Sequence, residues 1–432
     1  MQRGVILAND DLVVGLDLGT TKVCVVVGER NARGILEITG VGESPSTGIR
    51  KGVVVNIEAT IKAIVEAIEA AEMMSGREVS ACWTGIGGNH IEGINSRGVV
   101  AIAGQKRENR EISKEDMGRV IEAARAVVIP LDRQIIQTIP QSYIVDDHRG
   151  IKDPLGMIGV RLESEVHIIT SSATSAENLL RCVNRAGFKA TNSLLLLQVL
   201  AAGRAVLTPE EQDLGVALID LGGGTTDVLV YYDGAPYSTF TIPVGGVEVT
   251  KDISTIKSVS VEVAEKIKTE SACCWEALLE NAEDILVPGM GGRPPMAIPR
   301  SHIYAIVKPR MEEIFDLVKQ KLDCLGLPRP LSGGIVITGG GAMLAGAVEL
   351  AGEIFKMPVR MGVPIHFANL GGLVDEYRSP GYATAIGLAL EGFKRETEEL
   401  IEHEPLRPLL LPKRNSPNVF SRIGSWIKDG LF

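Results

Sequence analysis

From Leu12 to about Ile102, short β-branched runs (VVGLDLG, KVCVVVG, ILEITGVGES) alternate with one stretch, Ile57 to Met74, whose apolar residues recur at helical spacing. This is the signature of α/β layering. From about Gly93 to Thr170 the character changes. Strand-like runs (RGVVAIAG, RQIIQTIPQSYIVD, EVHIITSS) surround one helical stretch near Lys114 to Val127, as in a small inserted α+β unit. The α/β rhythm then returns, with the aliphatic LLLLQVLAAGRAVL read as a helix. Residues Ile256 to Leu327 read as mainly helical, interrupted by the Pro/Gly-rich VPGMGGRPPMAIPR.

The strongest organisational feature is an internal repeat. VVGLDLGTTKVCVVVGER, starting at Val13, is mirrored nearly residue for residue by GVALIDLGGGTTDVLVYYDG, starting at Gly215. Two similarly folded lobes follow, each offering a Gly/Thr hairpin to a shared cleft.

After Phe393 the globular pattern ends. Glu396 to Pro417 carries charges and Pro405, Pro408, Pro412 and Pro417, which block helix and sheet continuation and predict an extended tether. Beyond it, Val419, Phe420, Ile423, Trp426, Ile427 and Leu431 share one face at ~100° per residue. Arg422 and Lys428, with Lys413 and Arg414 upstream, suit anionic lipid. A membrane-surface helix is expected, the alternative being a helix that docks on its own domain. One such helix binds weakly, because ordering it offsets much of the ~1.5–3 kcal/mol that each fully buried large apolar side chain offers. Several in one assembly bind well.

Composition narrows the partners. A formal charge of -10 gathers no nucleic-acid phosphates, so no nucleic-acid partner is expected. The six cysteines are scattered without metal-ligand spacing and read as reduced thiols. No run is long enough to cross a membrane.

In DLGTTK, the strand delivers Asp17 to the cleft, and the tight turn at Gly19 frees amides that, with the Thr20 and Thr21 hydroxyls, can face phosphate oxygens; Lys22 adds charge. In DLGGGTTD, Gly222, Gly223, Gly224 and Thr225 would do the same from the opposite lobe, with Asp220 facing Asp17. Two carboxylates there suit a hydrated Mg2+, which keeps several waters. A third run, Gly339, Gly340 and Gly341, lies between the strand GIVIT and the apolar AMLAGAVELAGEIF, read as a helix, and lets backbone approach a base or phosphate.

The ordered set DLGTTK, DLGGGTTD, GIVITGGGAML and GYATAIGLAL resembles the actin-like ATPase core of actin, sugar kinases, heat-shock chaperone ATPases and bacterial actin homologues. That resemblance implies duplicated actin-like (ribonuclease H-like) α/β lobes around a nucleotide cleft, with ATP and Mg2+ as cofactors. The first two motifs would hold phosphates and metal, with Asp17 and Asp220 reaching Mg2+ through water, and the third, Met343 included, would hold adenosine. VAEKIKTESA matches the helix whose Glu and Lys contact ribose and base, here Glu265 and Lys268. Gln198 has the register of the residue that positions the attacking water, and at most a weak ATPase is implied.

The insert, the segment TIPVGGVEVTKDIS and the tethered terminal helix together look like the FtsA family of cell-division proteins. The implied division is a first lobe of 11–92, 171–214 and 372–395, an insert of 93–170, and a second lobe of 215–255 and 328–371. A helical subdomain at 256–327, a linker at 396–417 and a membrane helix at 418–432 complete it. The family resemblance implies filament formation and recruitment of other division proteins, the insert serving one or both. It also implies tethering of the tubulin-like FtsZ to the inner membrane face at the septum, the FtsZ C-terminal peptide binding the helical subdomain. Alternatives are a PilM-like cytoplasmic scaffold for pilus or secretion assembly and, behind it, a small-molecule kinase on the same core.

Overall fold

The computed structural model describes residues 12–102, 111–280, 283–287, 295–365 and 370–403. Met1–Phe393 forms one compact unit and Lys394–Phe432 a second. Within the first unit the repeat in the sequence becomes a repeat of topology. Leu12–Leu18, Lys22–Arg30 and Leu36–Pro45 form an antiparallel meander, extended in parallel from its first strand by Trp83–Ile86 and then Leu195–Leu197. Val216–Leu221, Thr226–Tyr232 and Ala235–Ile242 form the second meander, extended in the same sense by Ile335–Thr338 and Val359–Met361. These strands read as continuous apolar runs because both sheet faces are covered.

The helix Ile57–Ser75 shows how one cover forms. Asn56 caps its start by accepting from the Ala59 amide, and Gly76 ends it in the left-handed region at φ 69°. Its buried face, including Ile64, Ala67, Ile68 and Ala71, lies on the Leu36–Pro45 strand. At Gly42 a Cβ would stand 2.0 Å from the Ala67 carbonyl oxygen, so only glycine permits this approach.

Between the lobes run two helices, Gln198–Val206 and the start of Ala383–His403. They cross where a Cβ on Gly387 would fall 1.8 Å from the Ala201 carbonyl oxygen. Leu218 and Leu229 of the second sheet join the same buried cluster as this helix pair, while the helical side of the second lobe has its own core around Phe315.

The insert is a four-stranded antiparallel sheet in the order Glu92–Ala101, Arg161–Ser172, Arg133–Val145, His148–Ile151, with the helix Lys114–Arg125 packed on it. A capping box between Ser113 and Asp116 starts that helix.

Four local expectations change. The run LLLLQVLAAGRAVL is not all helix: Leu195–Leu197 is a strand paired with Trp83–Ile86, and the helix begins at Gln198. Both environments bury aliphatic residues, so periodicity alone cannot separate them. AMLAGAVELAGEIF likewise starts as a 3-10 turn, Gly340–Met343, and becomes α-helix only at Ala347, after Gly346 at φ 88° packs against Trp275. The region around 256–327 is mainly helical as expected, with a small hairpin, Ile285–Val287 and Met296–Ile298, flanking the interruption; what changes is its start, since the leading helix begins at Gly246. The stretch read as an extended tether from Glu396 continues as helix to His403, two residues short of Pro405, where a proline would break it.

Candidate functional site

The two Gly/Thr hairpins are built alike. In the first, the ladder runs up to Leu18↔Val23 and the Gly19 amide donates to the Lys22 carbonyl at 3.0 Å. In the second, the ladder reaches Leu221↔Thr226 and the Gly222 amide donates to the Thr225 carbonyl at 3.0 Å. The turns meet face to face. A Cβ on Gly223 would lie 2.7 Å from Cγ2 of Thr21, and one on Gly224 would lie 2.5 Å from Oγ1 of Thr20. Side chains at these glycines would push the lobes apart.

Around the turns is a cavity of about 520 Å3. Asp17, Gly19, Thr20, Thr21, Lys22, Gln198, Asp220, Gly222, Gly223, Gly224 and Thr225 line it, as do Glu265, Lys268, Gly339, Gly340, Gly341 and Met343. The fold thus gathers every cleft residue singled out in the sequence, from segments more than three hundred residues apart. Val419, Phe420, Arg422, Ile423, Trp426, Ile427, Lys428 and Leu431 lie outside the described residues.

Asp17 and Asp220 hold the same place in each hairpin, two residues before the turn glycine. Across the ladder Asp17 faces Cys24, whereas Asp220 faces Asp227. Burial pushes Asp17 up to about 6, opposed by the hydrogen bond from Gln198 and by Lys22. Burial also pushes Asp220 up to about 7, with Asp227 and Asp17 adding repulsion and Thr384 opposing. Asp227 is raised by burial too, although Thr241 and Thr225 donate to it at 2.5 and 2.8 Å. Three carboxylates short of positive charge are what a divalent cation would relieve. Among the described residues no cluster of three or more His, Cys, Asp or Glu forms a cage for a metal. The donors present, carboxylates flanked by threonine hydroxyls and turn amides, suit an ion that draws most of its ligands from water and phosphate, as Mg2+ does.

Gln198 sits at the first position of its helix and lies flat over Gly85 and Gly87, where Cβ atoms would come within 2.9 and 2.0 Å of its side chain. Its Nε2 donates to Asp17 Oδ1 at 2.7 Å. Lys22 is not free to serve phosphates alone: Glu43 pairs with its ammonium, which stands 4.1 Å from the Tyr382 ring centroid. On the helix Val261–Glu270, Lys268 Nζ donates to Glu265 Oε2 at 2.8 Å, Thr250 Oγ1 at 3.0 Å and the Gly246 carbonyl at 3.2 Å. Gly339 takes φ 83°, and a Cβ there would stand 2.3 Å from Asp220 Oδ1.

Sequence reasoning missed Asp227, Thr384 and Tyr382. Asp227 was legible as the last residue of DLGGGTTD once the hairpin register was drawn. Thr384, in GYATAIGLAL, donates to Asp220 Oδ2 at 3.1 Å across the lobes, a contact that no local pattern encodes. Ser379 to Tyr382 complete the wall near Met343.

Comparison with known proteins bears on the family and the fold. The family model described as "Cell division protein FtsA" matches residues 217–387, and "SHS2 domain inserted in FTSA" matches residues 88–170. "Cell division protein FtsA" of Borreliella burgdorferi is 43% identical over 98% of this chain and 99% of its own length. That of Pseudomonas aeruginosa is 43% identical over 90% of both chains, and that of Escherichia coli 36% over 96% of both. Among solved structures, a chain of the PilM-PilN type IV pilus biogenesis complex superposes with TM-score 0.63 at 16% identity, covering 88% of this chain and 98% of that one. MreB5 of Spiroplasma citri bound to AMPPNP gives 0.54 at 15% identity, covering 91% and 99%. Both confirm the actin-like fold and nothing finer, so PilM is a structural relative only. Relatives matching from end to end, with the insert in its place, establish that the chain belongs to the FtsA family of cell-division proteins.

Proposed function

We propose that the chain binds ATP with Mg2+ between its lobes, self-assembles, and links FtsZ to the inner face of the cell membrane at the septum through its terminal helix. The carrying observation is the pair of facing turns over three crowded carboxylates. Turn amides and threonine hydroxyls supply donors to phosphate oxygens, and Asp17 and Asp220 would hold Mg2+ through water, the ion's charge restoring their ionised forms. Glu265, Lys268, Gly339, Gly340, Gly341 and Met343 form the end suited to adenosine. Gln198, anchored on Asp17, is placed to orient a water.

The helix Val261–Glu270 has two working faces. Glu265 and Lys268 line the cleft, while Val263, Lys266, Ile267 and Glu270 line a separate groove of about 580 Å3 with Leu286 and Arg300. Apolar floor and mixed charge suit a short peptide, and the FtsZ C-terminal segment is the occupant we assign. Other division proteins would dock on the insert. Among the described residues no helix is long and apolar enough to cross a membrane; the amphipathic pattern of residues 418–432 is what supports peripheral attachment.

Co-sedimentation with anionic liposomes, with and without ATP and Mg2+, tests this reading on the full chain and a chain ending at Ser416. Full-length protein should pellet, more so with ATP, while the shortened chain stays in solution. If both stay soluble, the tail is a docking helix and the membrane reading falls.

A further inference from the structure

We infer that the insert strand Arg133–Val145 is a strap that ties the two lobes together and couples the insert to the state of the cleft; this rests on the nucleotide reading above. The insert grows from the first lobe, between Trp83–Ile86 and the helix Ala173–Arg185, yet it also grips the second. Gln137 Oε1 accepts from the Leu197 amide at 2.7 Å, on the edge strand of the first-lobe sheet. Four residues along, Gln141 Nε2 donates to the Pro236 carbonyl at 2.7 Å, on the edge strand Ala235–Ile242 of the second. Side chains four apart on a regular strand share a face. Here a register shift leaves Gln141 as an extra, unpaired residue opposite Glu165 and Val166, and such a bulge re-aims a side chain.

A second latch lies beside it. Asn95 donates to the Tyr237 carbonyl at 3.0 Å, which fixes its amide orientation and leaves Oδ1 to accept from His167 Nδ1 at 2.7 Å. His167 Nε2 then accepts from the Thr239 hydroxyl at 2.9 Å. This needs a neutral imidazole, and burial holds His167 down at about 4. A Cβ on Gly93 would stand 2.4 Å from Thr239 Oγ1, so the contact tolerates no side chain there.

One end of the strap lies next to a residue that holds a cleft carboxylate, and the other joins the strand that carries a second such residue five positions on from Pro236. Leu197 precedes Gln198, which holds Asp17; Thr241, on the same strand as Pro236 and Thr239, donates to Asp227. Hydrogen bonds fail when stretched by more than about an ångström. Closure of the lobes on a ligand must therefore move the insert with it or break these contacts. The polar character of the contact suits an interface that rearranges, as inter-domain contacts of modest size do.

Hydrogen exchange on the full-length chain, with and without ATP and Mg2+, tests this. In the unmodified protein, ATP should change exchange about fivefold or more both at the two turns and in 133–145, the low end of ordinary coupling. In Gln141→Ala and Asn95→Ala, which remove exposed or half-exposed side chains and should leave the fold intact, the turns should still respond. ATP affinity should stay within about threefold, while the response of 133–145 drops below about twofold. Protection at the turns with an unchanged strap in the unmodified protein overturns the coupling alone, as does a response that survives in both variants. No protection at the turns overturns the nucleotide reading, and the coupling with it.

Discussion

Replacing Asp220 by Asn removes the most strained charge in the cleft while keeping an oxygen to accept from Thr384. A carboxyl whose folded-state pKa is raised favours folding below its unfolded value and loses that contribution as pH rises through the folded value. For Asp220 the window runs from the ordinary carboxyl value of 3.8 to about 7. At roughly 1.36 kcal/mol per unit, the raised carboxyl costs the ligand-free protein on the order of 4 kcal/mol above pH 7, where it ionises, and less than half of that at pH 5, where it stays protonated. Asp220→Asn should therefore raise the melting temperature of the ligand-free protein by a few degrees at pH 8, with less than half that gain at pH 5. The same variant should lose Mg2+-dependent nucleotide binding, so stability and function move in opposite directions. Calorimetry at the two pH values, paired with titration by a fluorescent ATP analogue, reads both. A variant that melts at or below the unmodified protein at pH 8, or whose gain is equal at pH 5, would refute the electrostatic argument.

Gly387→Val drives a side chain into the Ala201 carbonyl and should cost about 1–3 kcal/mol or more, seen as a lower urea midpoint with nucleotide absent. Gln198→Leu should leave ATP affinity within about threefold but lower phosphate release about tenfold to a hundredfold; unchanged release would remove Gln198 from the reaction. Lys268→Ala, by cutting a charged hydrogen-bonded group from the adenosine end, should weaken nucleotide binding about tenfold or more, measured by the same titration. Leu286→Glu, on an exposed residue of the groove, should weaken an FtsZ C-terminal peptide at least about tenfold in fluorescence anisotropy without changing ATP affinity.

Much of the site was legible because it is local. A strand ending in Asp, Leu, Gly with hydroxyl residues behind it can only present its turn, and its recurrence two hundred residues later announced the second lobe. The same holds for the insert, whose strand periodicity broke the surrounding rhythm, whereas Glu265 and Lys268 were reached only through the family resemblance. The aliphatic run before Gln198 was not legible as strand plus helix, because a strand covered on both faces and a buried helix demand the same residues. Thr384 was not legible either, since its value comes from a partner in the other lobe.

The sequence alone determined the duplicated α/β lobes, the facing Gly/Thr turns and the existence of an insert, because each rests on periodicity or on backbone freedom within a few residues. Tertiary structure alone decided that Thr384 reaches Asp220, that Glu43 and Tyr382 hold Lys22, and that Gln137 and Gln141 reach opposite lobes. Those outcomes depend on register, sheet edges and a bulge, which set distances between segments that the chain order leaves free.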